Sequence, residues 1–313
     1  RFIDLYEKKV QEKIKCKMLG VSKEFVSIAM NHDIAAGTME LTQPDYWVAA
    51  VHRFRDYLPS NGPTKRSTPL NVADAAMLVE ATDEDVKKGA HLPFPQLLGV
   101  IQYPAAFTKL EMRYAVSTLS RHTGRWGVSH FAAALKALEY GYTTRLTIVK
   151  YTKPKDKGKT NVLVAYADFG FSAPRSQGGR AVMMNGAAIS FSSKRHTTTD
   201  DSTTAAELTE MFNCSCDVEG FRNLMDEVGL HQELPTVIYQ DNIPAIQIAM
   251  NRGALAKKTR AMSLRTLSVR NKIEDGKILP VFKVTDQMVA DIGTKPLDAY
   301  RFGLLRDQLT GYA

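Results

Sequence analysis

The chain predicts an α/β fold: a mixed five-stranded sheet flanked by helices, preceded by a mixed α+β and largely helical region. Three observations carry this reading. The second half alternates strand-like and helix-like segments in the order β-β-β-α-β-α-β-α. Asn185-Gly186 divides GRAVMMNGAAISFSSKR into two alternating runs, the strongest short hairpin signal. The Lys-rich stretch TIVKYTKPKDKGKT breaks the composition between two different patterns. The expected division is residues 1–150, a Lys-rich linker or hairpin at 151–160, and an α/β unit at 161–313.

In the first half, Arg1 to Leu19 is charged and amphipathic. FVSIAMNHDIAAGTMELTQ reads as a hairpin turning at Ala36-Gly37. PDYWVAAVHRFRDYL opens with Pro44 and Asp45, which suit a first helical turn, and Trp47, Ala50, Val51 and Phe54 recur at core-facing helical spacing. PSNGPTKRSTPL is a connector. PFPQLLGVIQYPAAF, RYAVSTLSRHTG and SHFAAALKALEYGY then predict three helices. His122 and His130 have no acidic or cysteine companions and read as ordinary surface or core histidines.

The composition narrows the function classes. A chain of 313 residues with 44% hydrophobic content has enough apolar material for two cores. A formal charge of +8 suits a polyanionic partner such as nucleic acid, although a soluble basic protein would show it too. Three cysteines form no disulfide framework, and Cys214-Ser-Cys216 lacks zinc-pair spacing, so reduced intracellular thiols are expected. No apolar run approaches membrane-spanning length. RFIDLYEKKVQEK is no signal peptide, and its start within a helical pattern suggests a piece of a longer chain.

In the second half NVLVAYADFGFS is a strand holding Asp168, STTAAELTEMFNCSCDVEGFRNLMDEVG a helix carrying Glu207, and VIYQDN a strand ending at Asp241. KILPVFKV is the last strand, and TDQMVADIGTKPLDAYRFGLLRDQL reads as one closing helix in which Asp291 faces apolar neighbours. Each carboxylate alone has a structural explanation. Asp241 can cap the helix starting near Pro244, Glu207 can be a solvated helix charge, and Asp291 can balance a nearby Arg or Lys. Taken together they point elsewhere. If the first and fourth strands are neighbours at the sheet centre, Asp168, Glu207 and Asp241 meet at one edge. Clustered carboxylates repel unless cations occupy them, and hard divalent ions with oxygen ligands answer that need. Two such ions, roughly 3.5–4 Å apart, activate a water and stabilise a leaving oxygen of a phosphodiester. The residue types favour magnesium over zinc.

The segments YADFGFS, ISFSSKRHTTT, DSTTAAEL, IYQDNIPAI, KTRAMSLR and EDGKILPVFKVTDQMVADIGTKPL resemble the ribonuclease H domain of copia-type LTR retrotransposons. The most specific is ADIGTKPL following the EDG turn and strand. MELTQPDYW, STPL, YAVSTLSRH and SHFAAALKALEY resemble, more faintly, the thumb and connection of the same reverse transcriptases. The resemblance implies a ribonuclease H-like sheet and hydrolysis of the RNA strand of RNA–DNA hybrids, with Asp168, Glu207, Asp241 and Asp291 as metal-binding and catalytic residues. It implies two magnesium ions, for which manganese can substitute. Asp168, Glu207 and Asp241 would hold one, and Asp168 with Asp291 the other. Cleavage would leave a 3′-hydroxyl and a 5′-phosphate. The implied partners are the hybrid, template-primer nucleic acid and the palm and fingers of the enzyme.

This chain departs from the family pattern at Gly170 and Ala205, where acidic residues are usual, and it has no His after His231. The paired aspartate of a polymerase hairpin is missing as well. The only adjacent pair, Asp200-Asp201, reads as a helix start, so this segment alone is not expected to polymerise DNA. Between Asp241 and Asp291 runs NRGALAKKTRAMSLRTLSVRNK, with Arg252, Lys257, Lys258, Arg260, Arg265, Arg270 and Lys272 and no acid. It is either a solvated helix face or a track for the phosphate backbone, and its place between two metal ligands favours the track. Asn242 is expected to contact a ribose hydroxyl, and Lys295 the phosphate beside the cut. Two other readings compete with the ribonuclease: a catalytically decayed nucleic-acid-binding remnant, and an integrase-like nuclease acting on DNA.

Overall fold

The computed structural model describes residues 2–16, 22–156, 158, 160–170, 175–197, 202–250 and 260–312. After helix α1 (Phe2–Lys13), strands β1 (Glu24–Phe25), β2 (Ile28–Asp33) and β3 (Thr38–Thr42) form an antiparallel meander. The expected hairpin turns where predicted: Asp33 pairs with Thr38, and Gly37 takes a φ of 66° that favours glycine. Helices α2 (Pro44–Arg53), α3 (Val72–Ala76), α4 (Asp83–Gly89), α5 (Phe94–Phe107), α6 (Arg113–Ser120) and α7 (Val128–Thr143) follow. The short α3 and α4 are additions to the sequence reading. Each is started by a side-chain cap: Asn71 accepts from the Asp74 N–H at 2.7 Å and Thr82 from the Asp85 N–H at 3.2 Å. Strand β4 (Val149–Thr152) then pairs with β3, so the first residues of the Lys-rich stretch complete a four-stranded sheet.

The second sheet contains β5 (Val164–Gly170), β6 (Gln177–Met184), β7 (Ala187–Arg195), β8 (Thr236–Gln240) and β9 (Ile278–Phe282) in the order β7-β6-β5-β8-β9. β5, β6 and β7 are antiparallel neighbours, whereas β5–β8 and β8–β9 are parallel. This is the mixed sheet expected, with the first and fourth strands side by side at its centre. The Asn185-Gly186 turn has φ of 52° and 91°, the left-handed pair that a two-residue hairpin needs.

Helices α8 (Thr203–Glu227), α9 (Ile243–Met250), α10 (Arg260–Glu274) and α11 (Ala299–Thr310) complete the unit. The single closing helix is a misreading. Residues Thr285–Gln287 and Val289–Gly293 are separate 3₁₀ turns, and α11 starts only after Asp298, which accepts from the N–H groups of Tyr300 and Arg301. Pro296 is the reason. It has no N–H to give and disfavours helical backbone at Lys295. Among the described residues no helix is long and apolar enough to cross a membrane.

The two faces of the second sheet are buried by different elements. Leu208, Met211, Cys214 and Val218 of α8 pack on Ala165, Ala167, Val182 and Ile238. The other face, through Ala181, Ala188 and Phe191, joins one continuous core with Val289, Ile292 and Leu305 and with Trp47, Leu97 and Leu138 of the helical half. Large side chains fully buried in this way each contribute about 1.5–3 kcal/mol.

Two adjacent glycines set how closely these layers approach. A Cβ on Gly178 would lie 2.2 Å from Glu210 Oε2 of α8, and a Cβ on Gly179 would lie 2.5 Å from the Ala290 carbonyl on the opposite face. Gly179→Ala should therefore destabilise the protein by about 1–3 kcal/mol, because the Val289–Gly293 turn must move away. Chemical denaturation would show the drop, while alanine at Gly220, inside α8 with nothing within 4 Å, should not destabilise and serves as the control.

Candidate metal centre

Parallel pairing of β5 and β8 sets the geometry of the site. Tyr166 is the register partner of Tyr239, and two residues further along each strand come Asp168 and Asp241. Strand alternation puts Tyr166 and Asp168 on one face of the sheet. Ser202 caps α8 by accepting from the Ala205 N–H, which places Glu207 in the second turn of that helix. Ligand oxygens of Asp168, Glu207 and Asp241 all lie within 4.8 Å of one another. Asp168 and Glu207 are buried and Asp241 is half-buried.

The cap expected of Asp241 is made by its neighbour instead. Asn242 caps α9, its Oδ1 accepting from the Ala245 N–H at 2.9 Å, and Asp241 is left to receive a hydrogen bond from the Thr285 hydroxyl at 2.7 Å. The other carboxylates are held in the same manner. The Gln240 amide donates to Glu207 at 2.5 Å, and the Thr294 hydroxyl to Asp168 at 2.9 Å. Gln240 is fully buried and its Oε1 has no partner among the described residues. Gln240, Thr285 and Thr294 were not singled out from the sequence. Thr294 lies within the distinctive GTKPL segment and Gln240 directly precedes Asp241, but neither position reveals which carboxylate it serves.

Two glutamates three residues apart on α8 show what distinguishes the site. Glu210 is buried but receives Arg180 at 2.9 Å, His196 at 3.0 Å and Asn213 at 3.1 Å. Burial pushes its carboxyl up, yet His196 and Arg180 hold it below the ordinary value. Among the described residues Glu207 has no such cation. Burial first, then Asp168 and Asp241, push its carboxyl up to about 9. Burial and the neighbouring Asp291 and Asp241 also raise Asp168 well above the carboxylate range, with only Thr294 opposing. The cluster thus carries an uncompensated demand for positive charge.

Asp291 stands apart from this threesome. It is fully buried beside Asp168, but Lys295 pairs with its Oδ1 at 2.7 Å and Arg301 with its Oδ2. Lys295 is therefore turned onto Asp291 rather than outward. At Gly170, where a second acid is usual in the resembling family, a Cβ would lie 2.6 Å from the Thr294 carbonyl, so the Thr294 loop fills that space. Ala205, at the other departure, is buried in the first turn of α8.

The basic run is divided by the structure. Arg260 begins α10, and Arg265 is half-buried with its guanidinium donating to the Thr209 hydroxyl at 3.1 Å. Arg270 instead donates to the Ile248 carbonyl at 2.7 Å, and the buried Lys272 reaches Ser215 and Glu219, so these two hold α10 against its neighbours. Their inward turn corrects the view of the whole run as a surface track. Arg252, Lys257, Lys258 and the Asp200-Asp201 pair lie outside the described residues. His122 and His130 pack against each other with centroids 4.2 Å apart and join no metal-ligating group among the described residues. A cleft of about 710 Å³ between Tyr166, Tyr239 and Lys283 contains none of the four carboxylates.

The five-stranded mixed sheet thus brings carboxylates to the ends of adjoining parallel strands. Comparison with known proteins places it among retroelements. The chain is 30% identical over 224 residues to a retrovirus-related Pol polyprotein from transposon RE2 of Arabidopsis thaliana, covering 68% of this chain and 15% of that protein. It is 26% identical over 296 residues to the Pol polyprotein from transposon TNT 1-94 of Nicotiana tabacum, covering 93% of this chain and 22% of the relative. Among solved structures, LC11-RNase H1 in complex with an RNA/DNA hybrid matches 42% of this chain and 93% of that one, at 14% identity and a TM-score of 0.34. No family model matches the chain. The relatives are Pol polyproteins of copia-type retrotransposons, and this chain is homologous to a limited segment of them.

The raised carboxyls make stability depend on pH. Folded, metal-free Glu207 keeps its proton up to about pH 9, whereas an unfolded glutamate loses it near its ordinary value. The stabilising contribution is thus complete below that ordinary value and is lost as pH rises towards 9. Thermal unfolding without divalent ions should show Tm falling by about 5 °C or more from mildly acidic to mildly alkaline pH. Magnesium should restore Tm most at the alkaline end, and Glu207→Gln should flatten the profile.

Proposed function

We propose that this chain is the ribonuclease H-bearing segment of a retrotransposon reverse transcriptase, and that it hydrolyses the RNA strand of RNA–DNA hybrids. The observation carrying this reading is the convergence of Asp168, Glu207 and Asp241, two of them buried and, among the described residues, without a compensating cation. Three clustered carboxylates form an all-oxygen donor set that suits magnesium, with manganese as a substitute. Asp168, Glu207 and Asp241 would hold one ion, and Asp168 with Asp291 a second. Such ions lower the pKa of an attacking water and stabilise the leaving oxygen of a phosphodiester.

The protein's own residues orient these ligands. Thr294 fixes the carboxylate of Asp168, Gln240 that of Glu207 and Thr285 that of Asp241, so none has to find its rotamer when charge arrives. Asn242 uses its oxygen for the helix cap, and its amide nitrogen is the group suited to a ribose 2′-hydroxyl. Lys257, Lys258, Arg260 and Arg265 would meet the phosphate backbone, giving salt-sensitive and largely sequence-independent binding. Template-primer and the palm and fingers of the parent enzyme are the expected partners, since the chain spans only 15% and 22% of the two Pol relatives.

The test is cleavage of an RNA–DNA hybrid against duplex DNA and duplex RNA of the same sequence, with and without magnesium. The hybrid alone should be cut, only with the metal, leaving 5′-phosphate ends. Asp241→Asn should lower the rate by about 10²-fold or more, as expected for loss of a metal ligand, while hybrid binding persists. Equal rates in wild type and Asp241→Asn would overturn the assignment. Binding without any cleavage in the wild type would favour a non-catalytic remnant.

A further inference from the structure

Each oxygen of Asp291 has a cation of its own chain at ion-pair distance, and Oδ1 receives no hydrogen bond among the described residues. Lys295 holds Oδ1 from four residues away, and Arg301 reaches Oδ2 from the first turn of α11. Asp241, which clusters with Asp168 and Glu207, receives only the Thr285 hydroxyl, on its Oδ2, among the described residues. Arg301 is also tied to the segment that steadies Asp241. It donates to the Thr285 carbonyl at 2.9 Å, and its other terminal nitrogen lies 3.6 Å from the exposed Asp286. Its Nε is buried and finds no acceptor among the described residues, so the guanidinium is not fully satisfied where it sits.

From this geometry we infer that Arg301 is a positioning residue that competes with the second metal ion for Asp291. The inference rests on the metal-centre reading above and deepens it. Among the described residues no cation pairs with the Asp168–Glu207–Asp241 group, so the first ion meets no internal competitor there. An ion shared by Asp168 and Asp291 has to displace a guanidinium that forms charge-assisted hydrogen bonds. Arg301 has somewhere to go, because the Thr285 carbonyl and Asp286 remain on its other side. The two ions therefore bind unequally, and the gap between them is set by a residue that ligates neither. Lys295 adds to the same competition from the exposed side, where solvent screening makes its share smaller.

Manganese binding, followed by electron paramagnetic resonance and titration calorimetry on the full chain without nucleic acid, tests this directly. Wild type should bind one ion tightly and a second at least about tenfold more weakly. Arg301→Gln should tighten the second site by about five- to twentyfold and leave the first within about twofold. Arg301→Lys, which keeps a charge but loses the planar fork, should fall between the two. Lys295→Gln is exposed enough to leave the fold intact, and it should tighten the second site by a smaller factor. It decides the matter if the Arg301 variants do not fold. An unchanged second site in these variants, or equal weakening of both sites, would overturn the inference while leaving the metal centre standing. No manganese binding by the wild type would overturn both, and loss of all binding in Asp168→Asn would show that the measured ions are those of this centre.

Discussion

The backbone of β6 at Gly178 and Gly179 is approached from both faces of the sheet, by Glu210 and His196 on one side and by the Ala290 carbonyl on the other. Asp168 lies directly across from Gly179 in the antiparallel pair. Without side chains at these two positions, α8 and the Val289–Gly293 turn can both close on the sheet, bringing Glu207 from one layer and Asp291 from another to the end of β5. A β-carbon at either position would push one layer away. The site therefore depends on a packing distance more than on any single hydrogen bond.

Charge placement around that contact follows a consistent logic. Glu210, Asp217, Arg180 and His196 satisfy one another within a buried group, and Glu219 is similarly met by Lys272 and Lys277. A buried carboxylate can thus be fully compensated in this fold, and Glu210 is. Glu207, on the same face one turn earlier, has only an amide and other acids around it among the described residues. Such a contrast between close neighbours on one helix is stronger support for a ligand role than burial alone.

The helical half contributes stability to the site indirectly. Its core runs without interruption into Phe191, Val289 and Leu305, and the turn bearing Asp291 packs against α6 of that half and against α11. α11 sits in the same core and presents Arg301 back towards that turn. The fourth carboxylate is thereby governed by elements outside the sheet, which fits its separation from the other three.

Much of this was legible in the residues themselves. Strand alternation, the Asn185-Gly186 turn, helix spacing around Trp47 and the apolar run before Asp241 are local signals, each expressed within a few residues. They determined the order of elements, and with it the meeting of Asp168, Glu207 and Asp241. What lay beyond local pattern was decided by tertiary contact. Gln240 serves a glutamate 33 residues away and Thr294 an aspartate 126 residues away, pairings that no spacing rule encodes. Arg270 and Lys272 look like surface charge until α10 is packed on α8 and α9, when they turn inward. Asp291 was recognisable as a ligand candidate by its apolar neighbours and its distinctive segment. That its carboxylate would be shared with Arg301 depended on Pro296 breaking the helix and on α11 folding back, and only the assembled chain places a cation there.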